Sequence, residues 1–305
     1  RQLRAMDVPG VDIIWRQVFP GKMNHHFPKF ASSAAHQNGT ALALTESFCV
    51  YGNGLTPAQM KWLIDWQYVR GLNLLVAGCY PLSTDDHAML GERPHFGPVD
   101  PLWDCLPKFH RYVARLGYVL SCGDPVIETA LYYPVRDIWA TGAESAAAAV
   151  HDALARQLFE QQCDFDVIDD DLLSDKSTRV DNGVLIAGHM QYRNIVTGPH
   201  DHMSGSSRER LTELEQSGGI VIRAENVDDA QTALQTIHPT VLLEPSAPDI
   251  RVQARRWNNG GVLMLFNEGS TKFLGKVSLS LEGEPAELSP SDGRSFLIRG
   301  VLRTN

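Results

Sequence analysis

Apolar residues recur along this chain in short runs that alternate with longer amphipathic stretches. The runs at 11–15, 41–45 and 72–77 have the length of buried strands, and a helical pattern follows each one. The helix after the second run begins at Thr56-Pro57-Ala58-Gln59, a capping-box pattern with proline at the first helical position. Residues 1–123 therefore predict three strand–loop–helix units, which are typical of a parallel sheet or barrel.

The next part of the chain continues the alternation of strands and helices. Strands are predicted at 129–134, 165–168, 183–187, 194–198 and 219–222, and helices at about 145–161 and 208–217. Such a pattern within roughly 120 residues predicts a doubly wound, flavodoxin-like α/β domain, which we assign to residues 124–247.

The hydrophobic period changes to two near residue 250. Two apolar runs flank Asn258-Asn259-Gly260, a hairpin signal, and residues 276–281 alternate between apolar and polar. We therefore predict a small β-sandwich over residues 248–305.

Three units cannot close an eight-stranded barrel. The sequence leaves two alternatives open: the chain is the C-terminal part of a longer polypeptide, or its first three units form an open sheet. The chain begins at Arg1 without an initiator methionine or an apolar signal segment, so it is mature, trimmed or part of something longer.

Charge and cysteine content exclude several classes of protein. The formal net charge is -9 and no run is rich in lysine or arginine, which argues against a nucleic-acid partner. No apolar stretch approaches the ~20 residues that span a bilayer. The five cysteines are odd in number and lack CxxC spacing, so we expect buried free thiols in a soluble protein. Cytoplasmic and secreted locations both stay open, and the odd number of cysteines favours the cytoplasm.

Glu46 is the candidate catalytic residue, because it ends the apolar run 41–45 just before a glycine-containing loop. Catalytic residues of (β/α) barrels stand at the carboxyl ends of strands. Glycoside hydrolysis usually needs two carboxylates, one to protonate the leaving oxygen and one to attack or to activate water. The second is not obvious from the sequence, and the candidates weighed are Asp12, Asp85, Asp86 and Glu92.

Candidate sugar-binding side chains follow the ends of the same strands. Aromatic faces stack on the apolar faces of sugar rings, while Arg, His and Gln bond hydroxyl groups. The set is Trp15, Arg16, Gln17, Tyr51, Tyr80, His87, Arg93 and His95. Each alone is also explained by core or loop packing, and their concentration after strand ends favours the sugar-binding interpretation.

We expect no cofactor, and the sequence offers no set of metal ligands to nominate, so metal dependence stays open at this point. His25 and His26 are adjacent and have no acidic or cysteine partner at ligand spacing, so we interpret them as loop histidines. Residues 169–171 are three aspartates without an EF-hand continuation, which indicates a strand end or helix cap. Neither a GxSxG elbow nor a GxGxxG loop is present.

Several motifs together resemble the C-terminal portion of bacterial α-L-rhamnosidase-like enzymes of glycoside hydrolase family 106. They are Ser32-Ser33-Ala34-Ala35-His36-Gln37-Asn38-Gly39, Thr45-Glu46-Ser47-Phe48, Trp66-Gln67-Tyr68-Val69-Arg70-Gly71-Leu72-Asn73, Asp100-Pro101-Leu102-Trp103, Tyr112-Val113-Ala114-Arg115-Leu116 and Ala130-Leu131-Tyr132-Tyr133-Pro134. The resemblance covers most of the chain, but its motifs do not indicate which sugar is the substrate.

The resemblance implies the C-terminal part of a (β/α)8 TIM barrel, then a flavodoxin-like α/β domain and a β-sandwich. The three units would be barrel strands six to eight, with Glu46 as the strand-seven nucleophile or general base. The general acid of such barrels usually comes from strand four, so the resemblance implies that an N-terminal polypeptide completes the barrel. It also implies a carbohydrate substrate and a homo-oligomer.

Two other functions remain open at this point. The chain alone could be a non-catalytic carbohydrate-binding or assembly module, with oligomer contacts in its α/β domain. A small-molecule transferase on an open α/β sheet has little motif support.

Overall fold

The computed structural model describes residues 2–20, 26–81, 83, 85, 93–142, 144–279 and 285–297. Its strands are β1 (Gly10–Ile13), β2 (Leu44–Ser47), β3 (Leu74–Ala77), β4 (Asp124–Pro125), β5 (Thr129–Tyr132), β6 (Phe165–Ile168), β7 (Arg179–Asp181), β8 (Val184–Ala187), β9 (Met190–Tyr192), β10 (Asn194–Thr197), β11 (Ile220–Arg223), β12 (Val241–Glu244), β13 (Ile250–Trp257), β14 (Gly260–Asn267), β15 (Lys276–Leu279), β16 (Ala286–Leu288) and β17 (Ser295–Leu297).

Helices follow the three strands of the first region and occur near 145–161 and 208–217, as the sequence predicts, whereas the short helices at Val135–Thr141, Asp170–Leu173 and Asp229–Ala233 were not predicted. The helices are α1 (Pro28–Asn38), α2 (Pro57–Tyr68), α3 (Leu106–Ser121), α4 (Val135–Thr141), α5 (Ala146–Glu160), α6 (Asp170–Leu173), α7 (Gly205–Gln216) and α8 (Asp229–Ala233), with 3₁₀ turns at Leu3–Ala5, Trp103–Cys105 and Leu234–Thr236. The predicted capping box is present, since the Thr56 side chain accepts from the Gln59 amide and the Gln59 side chain accepts from the Thr56 amide. None of the described helices combines the length and apolar character that a membrane span requires.

The first sheet is parallel, in the order β1-β2-β3, with α1 and α2 as its crossover helices. This confirms the predicted α/β units. Within the described residues these strands do not close into a barrel. The sheet is therefore open at the β1 and β3 edges in this structure.

Strand β2 starts later than predicted, so Glu46 lies within it rather than after it. The reason is Asn73, whose side chain accepts from the Ala43 amide at 3.0 Å and donates to the Ala41 carbonyl at 2.7 Å. These hydrogen bonds join Ala41 and Ala43 to the Asn73 side chain, just before the strand ladder begins. The ladder itself runs from Leu44 to Ser47.

The second sheet is also parallel, in the order β11-β10-β5-β6. Alternate residues of β5 enter different cores: Leu131 packs with α5, while Ala130 and Tyr132 pack with residues of α7, β8 and β9. Both faces of this sheet are covered, as is usual for parallel sheets.

One predicted strand of the α/β domain belongs to a different sheet. Residues 184–187 form β8 of an antiparallel sheet, β7-β8-β9, rather than a member of the parallel sheet. Asn182 and Gly183 both have positive φ, which gives the tight turn that folds β8 back on β7. A two-residue turn excludes a crossover helix, so the strand cannot run parallel to its neighbour.

The predicted hairpin is present as β13 and β14, which pair along eight residues each. Two other strand pairs link this region to earlier parts of the chain: β4 pairs with β13, and β12 pairs with β15. Both pairings thus cross the predicted segment boundary near residue 248.

Helix α1 is joined to β6 by buried charges. The Lys29 ammonium lies 2.9 Å from an Asp164 oxygen, and His36 Nδ1 lies 2.8 Å from Asp166 Oδ1. Burial raises the pKa of Asp164. For Asp166 burial also acts to raise the pKa, but His36 and Lys29 outweigh it and hold the pKa below its usual range.

A second buried network joins the end of α2 to the β13–β14 hairpin. The Glu268 carboxylate lies 2.6 Å from Arg70 Nη2 and 2.8 Å from Arg251 Nε, and all three side chains are buried. Burial lowers the pKa of Arg70 to about 10, against the opposing effect of Glu268. The first sheet is therefore tied to the α/β region and to the hairpin by charged groups.

Replacing Lys29 by methionine is expected to lower the free energy of unfolding by about 3–5 kcal/mol, because Asp164 loses its buried partner. In this variant the pKa of Asp164 rises further, so the folded variant binds a proton more tightly than the unfolded chain does. The difference in free energy of unfolding between the unaltered protein and this variant should therefore shrink as the pH falls toward about 4. Urea unfolding at several pH values measures both effects.

The matched control is Arg210→Met, which removes the exposed Arg210–Glu213 pair within one helix. That change should cost less than about 1 kcal/mol. Equal losses for the two variants would show that the buried pair does not hold α1 in place.

Candidate active site

Glu46 and Asp12 lie side by side on the first sheet. The strand register pairs Asp12 with Glu46 and Glu46 with Val76 across the three parallel strands. Residues paired in this way project from the same face of a sheet. Asp12 is exposed and Glu46 is half-buried, so this face offers two carboxylates from adjacent strands.

The other face of β2 packs on helix α2. Thr45 and Ser47 are fully buried, their hydroxyl groups are 2.9 Å apart, and the Ser47 hydroxyl donates to Gln67 Oε1 at 3.0 Å. Because side chains alternate along a strand, these contacts direct Glu46 away from the helices. This is the orientation that residues lining the inside of a barrel have.

Cys49 contacts the Glu46 carboxylate, and Cys79 contacts Cys49. The Cys49 thiol donates to Glu46 Oε1 at 3.3 Å, and its sulfur lies 3.3 Å from Cys79 Sγ. Burial raises the pKa of the Cys49 thiol far above its usual range, and Cys79 and Glu46 add to the effect. The thiol therefore stays protonated and remains a donor to the carboxylate.

Gly78 leaves the space that this arrangement needs. A Cβ atom at Gly78 would lie 2.1 Å from Cys49 Sγ and 3.3 Å from Glu46 Oε1. The positions of the two cysteines in the sequence also indicate this cluster: Cys49 and Cys79 each follow a parallel strand by two residues. Equivalent positions after adjacent strands lie at the same edge of the sheet.

Trp15, Arg16 and Gln17 are exposed in the loop after β1. The Trp15 amide donates to the Cys49 carbonyl at 3.0 Å, which brings this loop next to the loop after β2. Trp15 and Arg16 both have positive φ, so the chain turns here rather than continuing the predicted strand. The Arg16 guanidinium stacks 4.8 Å from the Phe19 ring centre.

Tyr80 is the second exposed aromatic residue at this edge of the sheet. It follows β3, as Trp15 follows β1, and the two side chains are 67% and 64% exposed. Both rings are therefore available to a ligand from solvent.

Tyr51 and His95, which the sequence predicts as sugar-binding residues, are both buried. Tyr51 is 1% exposed and its hydroxyl donates to the Val18 carbonyl at 2.7 Å. Burial raises its pKa to about 12, against smaller opposing effects of Val18 and Arg16. The aromatic ring packs in the core beside Phe48, so its position after a strand reflects packing.

The remaining predicted residues belong to the long loop after β3. Arg93 is partly buried, and its carbonyl accepts from the Gly52 amide at 2.9 Å. Asp85 is exposed. His87, Asp86 and Glu92 lie outside the described residues.

Solved glycoside hydrolases have a similar α/β fold. A rhamnosidase from Novosphingobium sp. PP1Y aligns with a TM-score of 0.71 at 18% identity, over 97% of this chain and 32% of that chain. A GH42 β-galactosidase from G. stearothermophilus aligns with a TM-score of 0.67 at 11% identity, over 97% of this chain and 58% of that chain. The chain thus has an α/β fold that resembles parts of TIM-barrel-type glycoside hydrolases, and it spans only part of the length of these structures.

A family model described as alpha-L-rhamnosidase, glycoside hydrolase family 106, matches residues 4–262. The chain belongs to this family, as its sequence motifs predict. Among curated proteins, no relative matches the chain.

Replacing Gly78 by alanine should place a methyl group against the Cys49 sulfur and destabilise the protein by roughly 1–3 kcal/mol. Chemical denaturation measures the loss. Gly54→Ala is the control, since a Cβ atom there meets nothing within 4 Å.

A double variant decides whether Cys49 is the obstacle. Gly78→Ala combined with Cys49→Ala should recover most of the lost stability, because the free-energy effects of substitutions at two residues in contact are not additive. Simple additivity of the two changes would contradict the packing described for this cluster.

Proposed function

We propose that this chain forms part of a glycosidase that cleaves α-L-rhamnosyl bonds, with Glu46 as a catalytic carboxylate. The observation that carries the proposal is the position of Glu46: it projects from the sheet face opposite the helices, next to a second carboxylate, Asp12. The membership of the chain in a family described as alpha-L-rhamnosidase supports the substrate class.

Glu46 acts in this proposal either as the nucleophile of a retaining enzyme or as the general base of an inverting one. The protonated Cys49 thiol donates to one carboxylate oxygen, which helps to keep the ionised carboxylate in place. Asp12 is in the adjacent strand and is a candidate for a supporting carboxylate. The general acid is assigned to a strand outside this chain.

The sugar is bound in this proposal by the loops that follow β1 and β3. Trp15 and Tyr80 supply exposed aromatic faces, and Arg16 and Gln17 supply donors for hydroxyl groups. Tyr51, Arg93, His95 and His87 complete the predicted set. Of these, the partly buried Arg93 is the better placed to reach a ligand, because His95 is buried.

We further propose that polypeptide outside these 305 residues supplies the remaining barrel strands. Parallel sheets are normally covered on both faces, yet Val76 is 46% exposed on the face that carries Glu46. The additional strands would face the Glu46 side of this sheet across the interior of the barrel. In this proposal β1, β2 and β3 are barrel strands six, seven and eight.

The later segments are proposed as a flavodoxin-like domain over 124–247 and a β-sandwich over 248–305. Numbered along the chain, the strands of the second parallel sheet have the order 2-1-3-4, which supports the flavodoxin-like assignment. The β13–β14 hairpin and its pairing with β4 support an antiparallel third segment.

A second candidate function is a non-catalytic carbohydrate-binding or assembly module that forms homo-oligomers. The observation in its favour is Trp139, which is 79% exposed on α4 of the α/β region. Large exposed aromatic residues are typical of protein interfaces. Turnover by a complete enzyme separates the two functions.

Replacing Glu46 by glutamine in the longer polypeptide that contains this chain should lower kcat by roughly 10²–10⁴-fold, because the amide can neither attack nor accept a proton. Hydrolysis of an aryl α-L-rhamnoside measures the effect. Asp7→Asn, at an exposed carboxylate, is the control.

Unchanged turnover in the Glu46 variant would refute the catalytic assignment. The 305-residue chain is assayed alongside and should be inactive. Turnover by this chain alone at the rate of the longer polypeptide would refute the proposal that strands from elsewhere complete the site.

Tyr80→Ala should lower kcat/KM by roughly 2- to 10-fold, mainly through KM, since one aromatic contact is worth about 0.5–1.5 kcal/mol. Tyr118→Ala is the matched control: that tyrosine is 73% exposed on α3, which does not belong to the proposed sugar site. Equal kinetic changes in both variants would argue against a sugar contact by Tyr80.

A further inference from the structure

Two buried histidines from distant parts of the sequence face each other. His26 precedes α1 and His151 lies in α5, and their Nε2 atoms are 2.9 Å apart. The two side chains are 4% and 1% exposed. Local spacing around His26 does not reveal this partner, because His151 lies 125 residues away.

A carboxylate lies beside this pair. Asp152 Oδ1 is 3.7 Å from His26 Nδ1, and its side chain is 51% exposed to solvent. One ligand atom from each of His26, His151 and Asp152 lies within 4.8 Å of the other two. Among the described residues, these three side chains lie close enough together to share a metal ion. The two histidine side chains are buried, and the Asp152 side chain is open to solvent.

The orientation of His151 is fixed by the backbone. Its Nδ1 lies 3.0 Å from the Tyr132 carbonyl oxygen, which can only accept a hydrogen bond. The proton of the neutral ring is therefore on Nδ1, and the lone pair on Nε2 points toward His26. Metal-bound histidines typically use this arrangement, in which the second ring nitrogen donates to a carbonyl or carboxylate.

We propose that His26, His151 and Asp152 bind a zinc ion. Two imidazoles and one carboxylate, with water in the fourth position, form a common tetrahedral zinc set. Two nitrogen atoms bound at about 2.0–2.1 Å from one tetrahedral ion are about 3.3 Å apart, so the observed 2.9 Å between the Nε2 atoms requires only a small opening of the pair. Imidazole ligands select zinc over the hard cations Mg²⁺ and Ca²⁺.

The alternative is a hydrogen bond from His26 Nε2–H to His151 Nε2 without any metal. Both arrangements use the same atoms, because the ion would take the place of the shared proton. Only the zinc site depends on added metal. Only the zinc site uses the Asp152 carboxylate, which the hydrogen bond between the histidines does not need.

The proposed ion would link the start of α1 to α5, and so the first sheet to the α/β region. It involves none of the residues assigned to catalysis or sugar binding. Because the three ligands come together only in the folded chain, zinc should bind the folded state selectively and raise the melting temperature.

Calorimetric titration of the chelator-treated protein with ZnCl₂ should give one bound ion per chain. Asp152→Asn should weaken binding by at least about 10-fold, and His151→Gln should abolish it. Asp152 is largely exposed, so its variant tests the site without disturbing the core. The exposed His238, changed to glutamine, is the control and should leave binding intact.

Cobalt provides a second readout that a hydrogen-bonded pair cannot produce. Co²⁺ in the same site should give the visible absorption of a four-coordinate ion, and Asp152→Asn should remove or shift it. Absence of zinc binding by the unaltered protein would overturn the proposal. Equal binding by the unaltered protein and both site variants would overturn it as well.

Discussion

The position of helix α1 depends on charged groups that are almost completely shielded from water. Lys29, His36, Asp164 and Asp166 are all at most 6% exposed, and they contact each other across the boundary between α1 and β6. A buried charge without its partner is strongly destabilising, so α1 can bind β6 in few orientations. Because α1 connects β1 to β2, the same contacts fix the first sheet relative to the α/β region.

The same helix also terminates the second parallel sheet. Ser33 accepts from the Val167 amide at 2.7 Å, and Gln37 donates to the Val167 carbonyl at 2.9 Å. These bonds satisfy the open edge of β6, which would otherwise offer unpaired groups to another strand. The motif at residues 32–39, which carries part of the family resemblance, therefore has a structural explanation: it joins two parts of the fold rather than forming a catalytic surface.

Sequence patterns predicted the local elements well, because periodicity and capping are properties of neighbouring residues. The Thr56–Gln59 capping box, the turn at 258–260 and the α/β alternation all depend on such short distances. The start of β2 could not be predicted in this way, since Asn73 holds residues 41–43 from thirty residues away. The burial of Tyr51 could not be predicted for a related reason: its position after a strand does not reveal whether its ring points inward.

The candidate site illustrates the same limit at the level of chemistry. Alternation along β2 already implies that Glu46 and Thr45 face opposite ways, but which face meets helix α2 follows only from the Ser47–Gln67 contact. Once that face is known, the parallel register brings Asp12 beside Glu46, and the two cysteines after β2 and β3 fall next to the carboxylate. The helices thus hold the sheet from one side, through α1 and α2. The face that carries both carboxylates is left for a ligand or for further strands.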